Sequence, residues 1–456
     1  MIHTAQIRRY SMSNMVRRQA QAIRWQAAVL FLFVQGIGTS SLAWAQDRSL
    51  PPIVADFEAK VASESQMAGR KVVRYEHEMI KEWGYAAGAP NRPFIVVEPT
   101  KASEAPPLLV YLHSAGNEFK PSIPDKLPGF GPEFITLALH SVGGQQDGWH
   151  GWHKIKADPT KFASTYTPVE HRLLATIEWV ARKYKVDRNR IYLWGISMGG
   201  SGTLGLGLAR GDIFAAAYVI VPAGIEHGWH RMGFPEITNG KVTRPDDYLA
   251  RVSGVGIPDP PPLVNFSSQT DGWARGQENL IQAMHDGRHL MAFCWAPIGH
   301  TANWDATNPA VVKYPWLSIR KDQAYPAFTD ASIDKKYPGF QGKDADQAGQ
   351  LNAYFRWKNK TEEPTRFEID LSLVDAKEVS TKEKPFAVPE KSVADVTPRR
   401  LQKFKVQADK SYTWRLLDAG NVVQSGEIRP DAVGLLTLPR LAIAPVPRTL
   451  VLEPKR

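Results

Sequence analysis

The stretch "RIYLWGISMGGSG" (Arg190–Gly202) places a serine between two glycines, directly after a short apolar run. Its β-branched and aromatic residues, Ile191 to Trp194, read as a strand. The small residues from Gly199 onward, "GGSGTLGLGLAR", read as a helix able to pack closely on a sheet. Between them, Gly195-Ile196-Ser197-Met198-Gly199 fits G-x-S-x-G in the strand–turn–helix context that gives the pattern a mechanical meaning. A sharp turn leaves no room for bulk at either glycine. It also lifts the Ser197 hydroxyl to the carboxyl edge of the sheet. Ser197 is therefore the candidate nucleophile.

Working outward, the same alternation recurs. "FIVVEP" (Phe94–Pro99), "PLLVYLH" (Pro107–His113) and "FITLALH" (Phe134–His140) are short apolar runs bounded by Pro and Gly. "PVEHRLLATIEWVARKYKV" sets Leu173, Leu174, Ile177, Val180 and Ala181 on one helical face. "FAAAYVIVPAG", "PPLVNFSSQTD" and "HLMAFCWAPIGH" supply three further strands. "ARGQENLIQAMHDG" is a helix closing at Gly287. Strands alternating with helices predict an α/β domain over residues 71–317, a mostly parallel sheet with helices on both faces. After residue 318 the helical periodicity stops. "RFEIDLSLVD", "SYTWRLLDAG", "GLLTLPRLAI" and similar runs predict a C-terminal all-β sandwich over 318–456. Trp357 and Trp414 are expected to fill its core. Residues 46–70 read as a polar leader.

The first 45 residues carry five arginines and no acid, then the apolar run "AAVLFLFVQGIGTSSL" and "AWA" at Ala43–Ala45. That order reads as a secretory signal peptide cleaved after Ala45. The apolar run is short for a membrane-spanning helix, so no stable membrane insertion is expected after cleavage. Without those arginines the formal charge of +10 falls to +5. No dense basic block or nucleic-acid motif accompanies it, so nucleic acid is not an expected partner. The single cysteine, Cys294, excludes an intramolecular disulfide and lies in an apolar strand. Export without disulfides fits a bacterial periplasm or exterior.

A serine hydroxyl is a poor nucleophile at neutral pH and needs a base, itself oriented by a carboxylate. Where a serine acts from this kind of turn, the acid and then the histidine follow it in the chain. Asp271 in "SQTDGW" and His300 in "PIGHTANW" each follow a late strand, at the edge where Ser197 emerges. His150, His153, His227, His230, Glu226 and Asp305 are rivals for these roles. The developing oxyanion needs donors: the N–H of Met198 is one, and Ser114 or Ala115 in "HSAGN" is the expected second. No metal or cofactor is expected, because the histidines lack ligand spacing with carboxylates. Trp149, Trp152, Trp229, Trp273 and Trp304 lie in loops after strands, and flat indole faces stack on sugars or aromatic acids. They and His227 are the candidate substrate-binding residues. Arg275, His227 and His153 are candidates for contacting an acidic group.

"PLLVYLHSAGN", "VEHRLLATIEWVARKYKVDRNRIYLWGISMGG", "SSQTDGW" and "PIGHTANW" resemble secreted α/β-hydrolase esterases. The nearest group is that of polyhydroxybutyrate depolymerases, feruloyl esterases and acetylxylan esterases, and prolyl-oligopeptidase-type catalytic domains are similar too. The resemblance covers residues 70–305 and implies cofactor-free ester hydrolysis through Ser197, His300 and Asp271. One departure is "HSAG", where the group has H-G-x-G. The loop tryptophans point to acetyl or aromatic acyl esters on carbohydrate, polysaccharide included. A serine peptidase and a non-catalytic glycan-binding protein on the same scaffold are the alternatives. The oligomeric state is not legible.

Overall fold

The computed structural model describes residues 52–455, apart from 86–87, 90, 117–119, 126, 142–147, 150–165, 225–236, 239–240, 243–258, 302–307 and 382–384. The expected signal peptide, residues 1–45, lies outside the described residues, as does the start of the leader. Residues 50–456 cluster as one compact unit.

Its frame is a ten-stranded sheet. The strands are β1 (Ala59–Met67), β2 (Arg70–His77), β3 (Phe94–Val97), β4 (Leu108–Leu112), β5 (Ile135–Leu139), β6 (Ile191–Ile196), β7 (Ala216–Ile220), β8 (Leu263–Ser267), β9 (Met291–Trp295) and, past the next strand in the chain (β10, Tyr325–Thr329), β11 (Gly349–Leu351). Their spatial order is β1-β2-β3-β5-β4-β6-β7-β8-β9-β11. The six central strands, β5 to β9, run parallel. β1, β2, β3 and β11 pair antiparallel at the two edges. The central strands are buried nearly throughout, as continuous apolar runs in a sheet covered on both faces should be.

Two long helices flank this sheet, α1 (Pro168–Lys183) and α3 (Gln277–Asp286); α2 (Met198–Gly202) is a single turn after β6. α1 starts at a full capping box, Thr167 with Glu170, with Pro168 at its first position. It packs on Val110, Leu112 and Leu193, and α3 packs on Ala217, Val219 and Phe293. Leu193 and Ala217 are register partners, so both helices lie over the same face. Among the described residues both long helices therefore lie on one face, and only short helical segments lie on the other. The opposite face is closed by the four-residue helix α4 (Pro309–Val312), Tyr314 and Trp316. Trp316 stacks on Tyr218 at 5.0 Å, and the Tyr192 hydroxyl donates to the carbonyls of Leu317 (2.7 Å) and Ile319 (2.9 Å). The Pro- and aromatic-rich stretch after residue 308 is thus a sheet cover.

β1 departs from the polar leader. All but its two end residues are exposed, so no apolar alternation announces it. In the sheet it pairs only with β2, and its end residues Ala59 and Met67 pack on the apolar clusters.

The C-terminal part is all β. β10, β14 (Ser392–Arg399) and β17 (Leu438–Ile443) form one antiparallel sheet. β12 (Phe355–Glu363), β13 (Arg366–Leu373), β18 (Arg448–Pro454), β15 (Tyr412–Asp418) and β16 (Asn421–Ile428) form another, in that order. Residues of both share one core, which includes Phe328, Phe355, Ile369, Val396, Trp414 and Leu441. Trp414 is buried there, while Trp357 is half-buried. β11 leaves this part of the chain to pair with β9, so the large sheet takes a strand from beyond residue 318.

β11 is tied back by Asp334. Its Oδ1 accepts from the Asn352 N–H (2.9 Å) and the Gln350 amide (3.4 Å). Burial pushes its carboxyl up to about 7. The folded chain then holds a proton that the unfolded chain has released between about pH 4 and 7, so this group's stabilisation fades as pH rises through that window. Asp334→Asn removes the titration. We expect its Tm to exceed the wild type by about 2 °C at pH 8 and to match it near pH 4, read by thermal unfolding. A parallel pH dependence in both proteins would refute this.

Among the described residues no helix is long and apolar enough to cross a membrane. Nor is any group of three or more His, Cys, Asp or Glu side chains placed to hold a metal ion.

Candidate active site

Ser197 follows β6 at the centre of the sheet and caps α2 with φ 54° and ψ −115°. That is strained backbone for an L-residue. Its N–H donates to the carbonyl of Ile220 on β7 (2.8 Å). Its carbonyl accepts from the N–H (2.9 Å) and hydroxyl (3.0 Å) of Ser201, and that hydroxyl accepts from Ala223 N–H (2.7 Å). The turn is fixed on both sides. The two motif glycines are steric requirements. A Cβ on Gly199 would stand 1.9 Å from the Leu112 carbonyl oxygen, and one on Gly195 would stand 2.2 Å from that of Gly199.

The structure brings the three predicted side chains together. Ser197 Oγ lies 2.8 Å from His300 Nε2, and His300 Nδ1 lies 2.6 Å from Asp271 Oδ2. A carboxylate only accepts, so Nδ1 carries the proton and Nε2 is left as the acceptor for the Ser197 hydroxyl. Asp271 is 6% exposed, whereas the His300 side chain is 42% exposed. The acid is shielded and the base faces the solvent side. The other Asp271 oxygen, Oδ1, accepts from Trp273 N–H (2.9 Å).

Residues not singled out in the sequence hold this arrangement. The Gly299 N–H donates to the hydroxyls of Ser268 (3.0 Å) and Thr270 (3.2 Å), which clips the His300 loop to the Asp271 loop. Buried Gln269 donates to the carbonyls of Ala345 (2.9 Å) and Gln347 (3.0 Å) and accepts from Gln341 N–H (2.9 Å). The run of hydrogen-bonding side chains "SSQT" before Asp271 was the available signal.

After β4, the peptide that joins the two oxyanion candidates has its carbonyl fixed. His113 is buried, its Nδ1–H donates to the Ser114 carbonyl (2.9 Å), and its Nε2 accepts from Ser141 N–H (3.1 Å). The Ser114–Ala115 peptide therefore points its C=O at the buried ring. In a planar trans peptide the N–H of Ala115 points the opposite way, away from that ring, and Ala115 is exposed. Met198 is the first residue of α2, so its N–H has no intrahelical acceptor. The close approach of Gly199 to the Leu112 and His113 carbonyls sets the two segments side by side.

Trp149 is a correction. It is 2% exposed and belongs to the core, edge-on to His113 at 5.7 Å and against Gly202. Filling the space over a glycine helix suits a large ring, and that burial removes it from any substrate. Trp273 is half-buried in the acid turn. Trp152, Trp229, Trp304 and His227 lie outside the described residues, as do the rivals His150, His153, His230, Glu226 and Asp305.

No family model and no curated protein matches the chain. Among solved structures it is similar to an S-formylglutathione hydrolase from Agrobacterium tumefaciens, with 15% identity and a TM-score of 0.37 over 53% of this chain and 92% of that one. It is similar to a cold-adapted esterase from an Arctic intertidal metagenomic library, with 12% identity and a TM-score of 0.37 over 57% and 98%. A glucuronoyl esterase from Solibacter usitatus shows 13% identity and a TM-score of 0.34 over 52% and 74%. These likenesses span about half of this chain; the chemistry below follows from the site's own geometry.

Proposed function

We propose that this chain is a serine carboxylic-ester hydrolase of the α/β-hydrolase fold. The observation that carries this is the unbroken relay from Asp271 through His300 to Ser197 on a strained strand–helix turn. Ser197 Oγ attacks the ester carbonyl while His300 Nε2 takes its proton. The same proton then goes to the leaving alcohol, and an acyl-enzyme remains. Water, deprotonated by His300, releases the acid and restores Ser197. Asp271 stays ionised, holding the imidazole's tautomer and stabilising its charge. Acetyl or aromatic acyl esters on carbohydrate are the substrate class, and the exported chain begins at Gln46. The test is hydrolysis of acetyl, butyryl and feruloyl esters and of an acetylated polysaccharide by the chain from Gln46. Absence of turnover on every ester would overturn the reading.

The oxyanion is received by the N–H groups of Met198 and Ala115. Ala115→Pro deletes the second donor at an exposed position. A fall in kcat of about 10²- to 10³-fold is expected, with a far smaller change in KM, because the bond tightens as charge develops. Steady-state kinetics on an acetyl ester checks it; an unchanged kcat would reassign the donor.

A further inference from the structure

Arg275 sits four residues past Asp271, closing the short turn (Gly272–Ala274) whose N-cap is the acid itself. Its backbone is wedged at the active edge. The Gly224 N–H donates to the Trp273 carbonyl (2.8 Å), and a Cβ on Gly224 would stand 1.9 Å from the Arg275 carbonyl oxygen. Gly224 adjoins Ala223, which is bonded to Ser201 and through it to Ser197. Arg275 therefore belongs to the rim around the nucleophile. Its side chain is exposed, and its guanidinium lies over the Phe340 ring at 4.4 Å.

Phe340 comes from a segment well beyond the triad. It is brought there by Gln341, whose N–H donates to Gln269 just before the acid, and its ring also meets Gly272. Arg188, Arg210, Arg320 and Arg399 all pair with carboxylates. Arg275 forms no such pair among the described residues; its guanidinium meets an aromatic ring instead. A stacked guanidinium keeps its N–H fork free and in plane, ready for a planar carboxylate.

We propose that Arg275 is a specificity-determining residue that anchors a carboxylate on the substrate, so that the site prefers esters bearing a negative charge. The inference rests on the ester-hydrolase reading above and narrows its substrate class.

The test uses 4-acetoxybenzoate and its uncharged partner 4-acetoxybenzamide, which share the bond to be cut. For each protein the ratio of kcat/KM on the anion to that on the amide is measured. Arg275→Gln is expected to lower this ratio about tenfold, mainly through a higher KM for the anion, because the contact exists before the reaction begins. Arg275→Lys keeps the charge without the fork and should recover part of the ratio. Phe340→Leu, which frees the guanidinium to move, should lower it less than Arg275→Gln. The wild-type preference should weaken with added salt. Turnover of both esters with one ratio in wild type and Arg275→Gln overturns this inference alone. Failure of the wild type on both esters and on the wider ester panel overturns the hydrolase reading, and this inference with it.

Discussion

Ser197→Gly is expected to abolish turnover and to make the protein more stable. The loss follows from chemistry: without Oγ there is no nucleophile for His300 to activate, and kcat should fall by about 10⁴- to 10⁶-fold. The gain follows from the backbone. At φ 54° and ψ −115° any residue with a Cβ is strained, on the order of 1–3 kcal/mol, and glycine is not. Against this stands one hydrogen bond to a histidine whose side chain is 42% exposed, worth about 1 kcal/mol or less. Glycine's greater freedom in the unfolded chain offsets part of the gain, so Tm should rise by about 2 °C. Ser197→Ala separates the two effects. It keeps the Cβ and the strain, so it should lose turnover equally with no rise in Tm. Thermal unfolding beside ester kinetics checks both. Wild-type turnover in either variant would remove Ser197 from the mechanism, and equal stabilisation by Ala and Gly would remove the strain argument.

The site was legible where a steric or chemical rule acts over a few neighbouring residues. Gly195 and Gly199 are dictated by carbonyls 2.2 and 1.9 Å from where their side chains would begin, so the motif marks the turn by itself. Asp271 and His300 follow from their places after β8 and β9, since parallel strands deliver their carboxyl ends to one edge. Legibility ends where partners are remote in the chain. Nothing in "DGWHGWH" distinguishes a tryptophan on a cleft from one under His113, because burial depends on which loop lies above it. Which face a helix covers is set by the crossover between strands, and α1 and α3 carry the same kind of amphipathic stripe they would carry on opposite faces. β1 was hidden because an edge strand exposed on both sides shows no period of two. The clip from Gly299 to Ser268 and Thr270, and the reach of Phe340 over the acid turn, join segments about 30 and 70 residues apart that no local pattern connects.

Asp271→Asn should cost nearly as much as removing the nucleophile, although it changes one atom. Oδ1 accepts from the Trp273 N–H, and in the variant only the amide oxygen can continue to do so. The amide nitrogen is then forced to face His300 Nδ1, where Oδ2 stood at 2.6 Å. Two donors cannot face each other, so the imidazole moves its proton to Nε2 and accepts at Nδ1. Nε2–H then points at Ser197 and cannot take its proton. The geometry survives while the tautomer is wrong, and kcat should fall by roughly 10⁴-fold near neutral pH. Asp271→Ala leaves no donor opposite Nδ1, so the tautomer is not forced, and it should be less damaged than Asp271→Asn. Kinetics on an acetyl ester, with Tm unchanged in the Asn variant, distinguishes this from loss of folding. If Asn and Ala were equally impaired, Asp271 would act through its charge alone; if Asn were active, the base would take its orientation from another carboxylate.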